Sequence, residues 1–355
     1  MSGPRIALLA GRPAAGESGR VGRLADRLRS RGFAVDVIGP PEEPASGFEA
    51  PGTGRRLGRA WAVRRLADAT APGRPEVLHV LGAQGDAVGL ALAERWKVPY
   101  LLGVEEFLPI GGRLRLGRRW CRALVAASAA LAEDLETAAV PRSWITVIPP
   151  GVDIPAPGPP ATGGIPVVAT AGALSAGSGV ATFLDAARRI VASGVAAEFV
   201  VAGEGPAEPD LRRVADRLGI GDRVTFAARP AADAHFWHLP AAYCQPSTRP
   251  DAGRTLLAAL AHGLPTVVAD VPGLRGWIDP GRTGLIVPPG DPEALAAALL
   301  GLLADPRTAR NLGDAARGAV AQRCDPKRQA NDLAALYHAV LTDPGPLPAA
   351  ATRRS

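Results

Sequence analysis

Cysteine is scarce in this chain: Cys121, Cys244 and Cys324 are three among 355 residues, widely separated. They form no Cys-x-x-Cys pair and no Cys/His spacing that would hold zinc, so a reducing compartment is the simplest reading. No run of about 18 uninterrupted apolar residues occurs, and nothing reads as a membrane-spanning helix. The N-terminus, MSGPRIALLAG, has one Arg before a very short apolar run and reads as a buried first strand, not as a signal-peptide core. Lysine is nearly missing too, at positions 97 and 327 alone, so arginine carries almost all the positive charge. These absences lead to the expectation of a cytoplasmic protein, soluble or peripheral at the inner face of the membrane.

What is present suits a globular chain. Hydrophobic residues make up 47% and charged residues 21%, with Gly and Pro in short punctuating clusters instead of one long tract. A length of 355 residues fits two domains, each able to bury its own apolar interior. Charge is uneven: residues 1–150 hold 21 Lys+Arg against 15 Asp+Glu, and residues 151–355 hold 19 of each. The whole net charge of +6 therefore sits in the first half. Two windows there carry five arginines each without a carboxylate: Arg55, Arg56, Arg59, Arg64 and Arg65, then Arg113, Arg115, Arg118, Arg119 and Arg122.

Strand and helix signals alternate along the first half. IALLA (6–10), a helix over Val21–Arg31 and AVDVIG (34–39) read as one βαβ unit. Further strands are expected at VLHVLG (77–82), PYLLGV (99–104), ALVAAS (123–128) and TVIP (146–149), with helices over Ala87–Trp96 and Ala129–Ala139. DIPAPGPPATGGIP (153–166) is too rich in Pro and Gly for either element and is placed as the linker. The pattern restarts with VVATAG (167–172), EFVVAG (198–203), VTFAA (224–228) and TVVAD (266–270), with helices over Val180–Ser193, Pro209–Leu218 and Thr255–His262. Helices are also expected over Asp291–Ala304, Pro306–Arg323 and Lys327–Leu341. Short apolar strands spaced by helices imply parallel sheets.

Specific strings appear in the second half: VVAGEGP (200–206), GIGDRVTF (219–226), CQPS (244–247), AALAHGLPTVVADVPG (258–273) and GRTGLIVPPGD (281–291), in that order. The first half adds Gly16 after the first strand, LADRLRSRGFAVDVI (24–38), VLHVLG and WITVIPPGVD (144–153). This series resembles glycosyltransferase family 4 over almost the whole chain, to about Leu341. The resemblance implies the α/β GT-B fold, two doubly wound Rossmann-like parallel-sheet domains facing a central cleft. It implies an N-terminal acceptor-side domain over 1–152, the linker 153–166, a C-terminal nucleotide-sugar-side domain over 167–325, a helix over 326–343 returning to the first domain, and a flexible tail over 344–355. It further implies retaining transfer of a hexose from a nucleotide sugar to a saccharide or lipid acceptor, with no bound metal or separate cofactor.

The residues that would carry this chemistry are replaced. Where the family has Arg and Lys in G-R-L-x-x-x-K-G, GALSAGSG (172–179) has Ala173 and Ser178, removing two charge-assisted contacts worth roughly 1.5–3 kcal/mol each. Where it has two glutamates eight positions apart, for the donor sugar and the ribose hydroxyls, PDAGRTLLA (250–258) has Pro250 and Ala258. Asp251 falls one residue late and is expected to point elsewhere. Where it has a His-Asp pair in the first domain, Glu105-Glu106 stands, and an anion beside a diphosphate repels it. Donor contacts that remain candidates are Gly16, Gly203, Gly205, Ser247, Gly253 and Arg254, with Arg249 and Arg254 able to grip phosphate bidentately. Glycine at a strand-to-helix turn serves the turn itself as often as a ligand.

His79, expected at a strand end facing the cleft, His262 and Glu204 read as packing or turn residues, with no triad or metal spacing. On a helical wheel Arg115, Arg118, Arg119 and Arg122 share one face opposite Leu116, Trp120 and Leu124, an amphipathic helix suited to an anionic membrane surface or simply to water. A protein partner is possible. Nucleic acid is not expected, since neither window belongs to a nucleic-acid-binding fold and arginine dominance also fits coding bias. Two functions follow: a hexosyltransferase, or a non-catalytic descendant that binds a partner, a glycan or a membrane.

Overall fold

The computed structural model describes residues 3–10, 19–39, 63, 66, 73–109, 112, 114–117, 119–156, 164–228 and 236–343. The chain divides into two compact units, one within Met1–Gly151 and Pro326–Ser355, the other within Val152–Asp325. Gly16, Arg113, Arg118, the first arginine window and the tail after 343 lie outside the described residues.

The first unit is built on β1 (Arg5–Leu9), β2 (Ala34–Ile38), β3 (Val77–Val80), β4 (Tyr100–Val104), β5 (Cys121–Ala126) and β6 (Ile145–Val147). They form one parallel sheet in the order β2-β1-β3-β4-β5-β6. Every residue of β3 and β4 is buried, the near-continuous apolar pattern of strands covered on both faces. Helices α1 (Arg20–Arg29), α2 (Asp86–Trp96) and α3 (Ala129–Thr137) supply cover, α3 starting where Ser128 Oγ accepts the Leu131 N–H.

The second unit holds β7 (Val167–Ala171), α4 (Val180–Ala192), β8 (Glu198–Ala202), α5 (Glu208–Arg217), β9 (Val224–Ala227), β10 (Ala242–Gln245), α6 (Arg254–Ala261), β11 (Thr266–Ala269), β12 (Leu285–Val287), α7 (Pro292–Ala304) and α8 (Pro306–Arg323). Its sheet is also parallel, in the order β12-β11-β10-β7-β8-β9. One face buries Phe183, Leu184, Ile190, Phe199 and Leu299, and the other Tyr243, Leu256, Leu260, Trp277 and Val320. Asp291 and Asp305 cap α7 and α8, each followed by a proline whose missing N–H costs nothing in a first turn. Val152, expected to end the first domain, and Ile154, in the expected linker, both lie against this unit: the Val152 N–H donates to Cys324 O at 2.8 Å, and both side chains pack on its core.

Strands β10 and β12 were not separately expected. β10 is four residues long, includes a glutamine and runs straight into Pro246, while β12 is a three-residue edge, so neither offers a long apolar run.

The expected basic helix over 115–124 does not form. Arg115 lies in irregular chain, Arg119 in a turn and Arg122 on β5, where Cys121, Ala123 and Leu124 are buried. Pairing of β5 with both β4 and β6 satisfies its backbone and buries that apolar set, which outweighs the helical spacing of the arginines.

The last helix, α9 (Pro326–Thr342), belongs to the first unit and packs on α1 and β3. Arg31 donates to Asn331 Oδ1 at 2.6 Å and to Lys327 O at 2.9 Å. His79 is the element beneath: it is 2% exposed, and its Nδ1 lies 2.7 Å from the Tyr337 hydroxyl of α9. It therefore faces the closing helix, correcting the expectation of a cleft-facing residue, and its Nε2 has no hydrogen-bond partner among the described residues.

Burial pushes the His79 imidazole down from 6.5 to about 4. The unfolded chain binds this proton more readily, so the stabilisation is complete above pH 6.5 and is lost as pH falls toward 4. Between these limits the parent should lose about 3 kcal/mol that a non-titrating His79→Asn variant retains, read from denaturant unfolding at a series of pH values.

Candidate functional site

In the second unit the chain runs from β7 outward through β8 to β9, and from β10 outward the other way through β11 to β12. The direction reverses between β7 and β10, and in open parallel sheets ligands gather at such a reversal, beyond the carboxyl ends of the strands. Three loops leave those ends side by side: 172–179 after β7, 203–207 after β8 and 246–253 after β10.

Backbone bonds stitch the loops together. The Gly172 N–H donates to Ala202 O at 2.9 Å, Leu174 N–H to Glu204 O at 3.0 Å, Ala207 N–H to Leu174 O at 3.1 Å and Thr248 N–H to Gly177 O at 3.1 Å. The approach is so close that a Cβ on Gly203 would stand 1.8 Å from Gly172 O, at φ +148. Glycine is required there by the packing of loop on loop, before any ligand is considered. Gly205 lies in the same turn, and Gly253 is the residue from which α6 begins, with Arg254 its first helical residue.

Beyond β10 a polar cluster fills the floor. Tyr243, Gln245 and Ser247 alternate along the chain and so share one face. The Tyr243 hydroxyl donates to Gln245 Oε1, and Gln245 Nε2 donates to Asp251 Oδ2 at 3.0 Å. Ser247 Oγ donates to the same oxygen at 2.6 Å, and the Gly253 N–H donates to Asp251 Oδ1 at 2.8 Å. Burial, with Cys244 and Asp251 adding to it, holds the Tyr243 phenol well above its ordinary value, so it remains a neutral donor. Asp251 thus points elsewhere, as expected, and its target is the interior of its own loop. The Trp277 indole N–H braces this loop by donating to Ala252 O at 3.2 Å.

Ala173 is exposed on the loop after β7, and Ser178 is half-buried two residues before α4. Pro250 is exposed, and Ala258 packs its methyl group against the core beneath α6. His262, just after α6, has Nδ1 2.8 Å from Ala258 O and its ring stacked on Trp237, and burial lowers its pKa. In the first unit Glu105 follows β4 and forms an ion pair with Arg20 at the start of α1, so its charge is balanced by a residue that the motifs did not single out. Gln245 and Tyr243 were also missed; the alternation of polar residues through YCQPS is the signal that marks them. Among the described residues no group of three His, Cys, Asp or Glu side chains could hold a metal ion, and no helix is long and apolar enough to cross a membrane.

Two parallel six-stranded sheets with helices, and in the second unit loops converging at the strand reversal, match the GT-B fold of solved glycosyltransferase structures. The chain matches the family model for glycosyl transferases group 1 over residues 165–305 and that for glycosyltransferase family 4 over residues 18–155. Between them the two stretches reach into both units, and the chain is glycosyltransferase family 4-like in each.

Among relatives, the alpha-D-kanosaminyltransferase of Streptomyces kanamyceticus is 29% identical over 49% of this chain and 46% of its own length. The chain thus matches less than half the length of that relative. Among solved structures, the sucrose-phosphate synthase of Thermosynechococcus elongatus aligns with TM-score 0.77 at 20% identity, covering 96% of this chain and 99% of that one. Anabaena HepE in complex with UDP-glucose aligns with TM-score 0.75 at 16% identity, covering 94% and 99%. At these identities the likeness is one of fold.

Replacing Asp251 by Ala leaves the Ser247 hydroxyl and the Gln245 amide buried without their acceptor. A loss of about 2–4 kcal/mol should follow in urea unfolding, with a smaller loss for Asp251→Asn, which keeps one acceptor oxygen.

Proposed function

We propose that this protein binds a nucleotide sugar in its second unit and serves hexosyl transfer to a saccharide or lipid acceptor, without the carboxylates that its family places on the donor. The observation that carries this reading is the set of glycine-packed loops kept at the β7/β10 reversal, although the charged residues around them have changed. The neighbour solved with UDP-glucose, and the glycosyltransferase activity in its relative's name, support a nucleotide-sugar donor.

The replaced residues shape how such a site works. With Ala173 and Ser178 in the loop, two of the family's cations no longer balance the leaving diphosphate. With Pro250 and Ala258, no side chain at those positions accepts a hydrogen bond from sugar or ribose hydroxyls. Developing negative charge on the diphosphate is the feature that transition-state stabilisation must address, so turnover is slow relative to a fully equipped member.

The same replacements favour a second reading, a non-catalytic family member that binds a partner, a glycan or a membrane surface. Calorimetric titration with UDP, GDP, ADP and their common sugar conjugates separates the two. A dissociation constant below about 100 μM, about −5.5 kcal/mol, is expected for at least one of them, followed by measurable hydrolysis or transfer. Absence of binding by all of them at millimolar concentration would overturn the donor-site reading and leave the second.

A further inference from the structure

The loop that has lost its cations lies against an arginine from another loop. A Cβ placed on Gly177 would stand 2.6 Å from Arg249 Cδ, 3.0 Å from Cγ and 3.2 Å from Nε, so the Arg249 stem runs across the α-carbon of residue 177. Only a residue without a side chain accepts that crossing undisturbed. The exposed Arg249 side chain therefore lies against the residue that precedes Ser178, the position where the resemblance places the family's lysine.

Three further observations set the charge there. The Thr248 N–H donates to Gly177 O, so the residue preceding Arg249 is tied to the same loop and the arginine's starting point is fixed. Arg249 is exposed and makes no hydrogen bond or ion pair with the described residues. The nearest carboxylate along the chain, Asp251, is turned inward onto Ser247, Gln245 and the Gly253 N–H, and so does not neutralise it. Arg254 has a protein interaction of its own.

We propose that Arg249 supplies, from the loop after β10, the cation for a nucleoside diphosphate that Ala173 and Ser178 no longer supply from the loop after β7. The inference rests on the nucleotide-sugar reading of the second unit. A guanidinium is suited to this role because its planar fork meets two phosphate oxygens at once and stays charged at any working pH. The class of ligand is a diphosphate, recognised through its oxygens and not through its base. Arg249 is on this account a donor-binding residue that this chain has recruited in place of the family's pair.

The test compares the parent protein with Arg249→Ala, an exposed position whose replacement leaves the melting temperature unchanged. Probes are inorganic pyrophosphate, UDP, GDP, ADP and the free nucleosides, each titrated calorimetrically. Arg249→Ala is expected to weaken pyrophosphate and the tightest nucleotide about ten- to a hundredfold, with nucleoside binding unaltered. Arg249→Lys should keep part of the affinity, and adding Ala173→Arg with Ser178→Lys to Arg249→Ala should recover it. A parent that binds a nucleotide with the same affinity as Arg249→Ala overturns this inference and leaves the donor-site reading intact. A parent that binds no nucleotide and no pyrophosphate overturns both.

Discussion

The reversal of strand order between β7 and β10 is the constraint from which the rest of the second unit follows. Because neighbouring strands there lead their connections in opposite directions, the loops 172–179 and 246–253 are left side by side without a helix crossing between them. The sheet spacing then forces backbone against backbone. Gly203 has no room for a side chain because Gly172 O stands where its Cβ would be, and Gly177 has none because the Arg249 stem crosses it. Glycine at these positions is thus required by the packing of the loops themselves, independently of any ligand.

Polar satisfaction follows from the same geometry. Bringing Gln245 and Ser247 to the buried end of β10 obliges the fold to supply an acceptor, and Asp251 is the side chain that does so. Its carboxylate also takes the Gly253 N–H where the chain turns into α6. A carboxylate held by one donor at the end of β10 and two in its own loop ties that loop to the strand. The Asp251 carboxylate thus braces the backbone of the loop that leads into α6.

The first unit follows a different logic. Its closing helix α9 is joined to the sheet through His79 and Tyr337, a neutral pair deep in the core. Burial keeps both groups uncharged, so the contact holds at neutral pH and weakens in acid. At the carboxyl end of β4, Glu105 is balanced by Arg20, so the anion expected to repel a phosphate does not stand alone.

The alternation of short apolar strands with amphipathic helices was enough, from the sequence alone, to determine two parallel sheets, because buried parallel strands and their crossover helices leave a strong local pattern. The family strings likewise pointed to the GT-B class that the two sheets bear out. Local pattern failed where strand pairing overrode it: residues 115–124 have helical arginine spacing, yet β5 forms between β4 and β6, the strands before and after it in the chain. It also gave no view of Arg20 beside Glu105, of Tyr337 beside His79, or of Arg249 across Gly177. Those pairs are separated in sequence by 85, 258 and, for the last, some seventy positions, and only the packing of the sheets brings them together. The sequence by itself determined the fold and the residues available to it. Tertiary structure decided which of their charges are balanced, buried or left facing solvent, because those properties depend on distances between segments that no local pattern encodes.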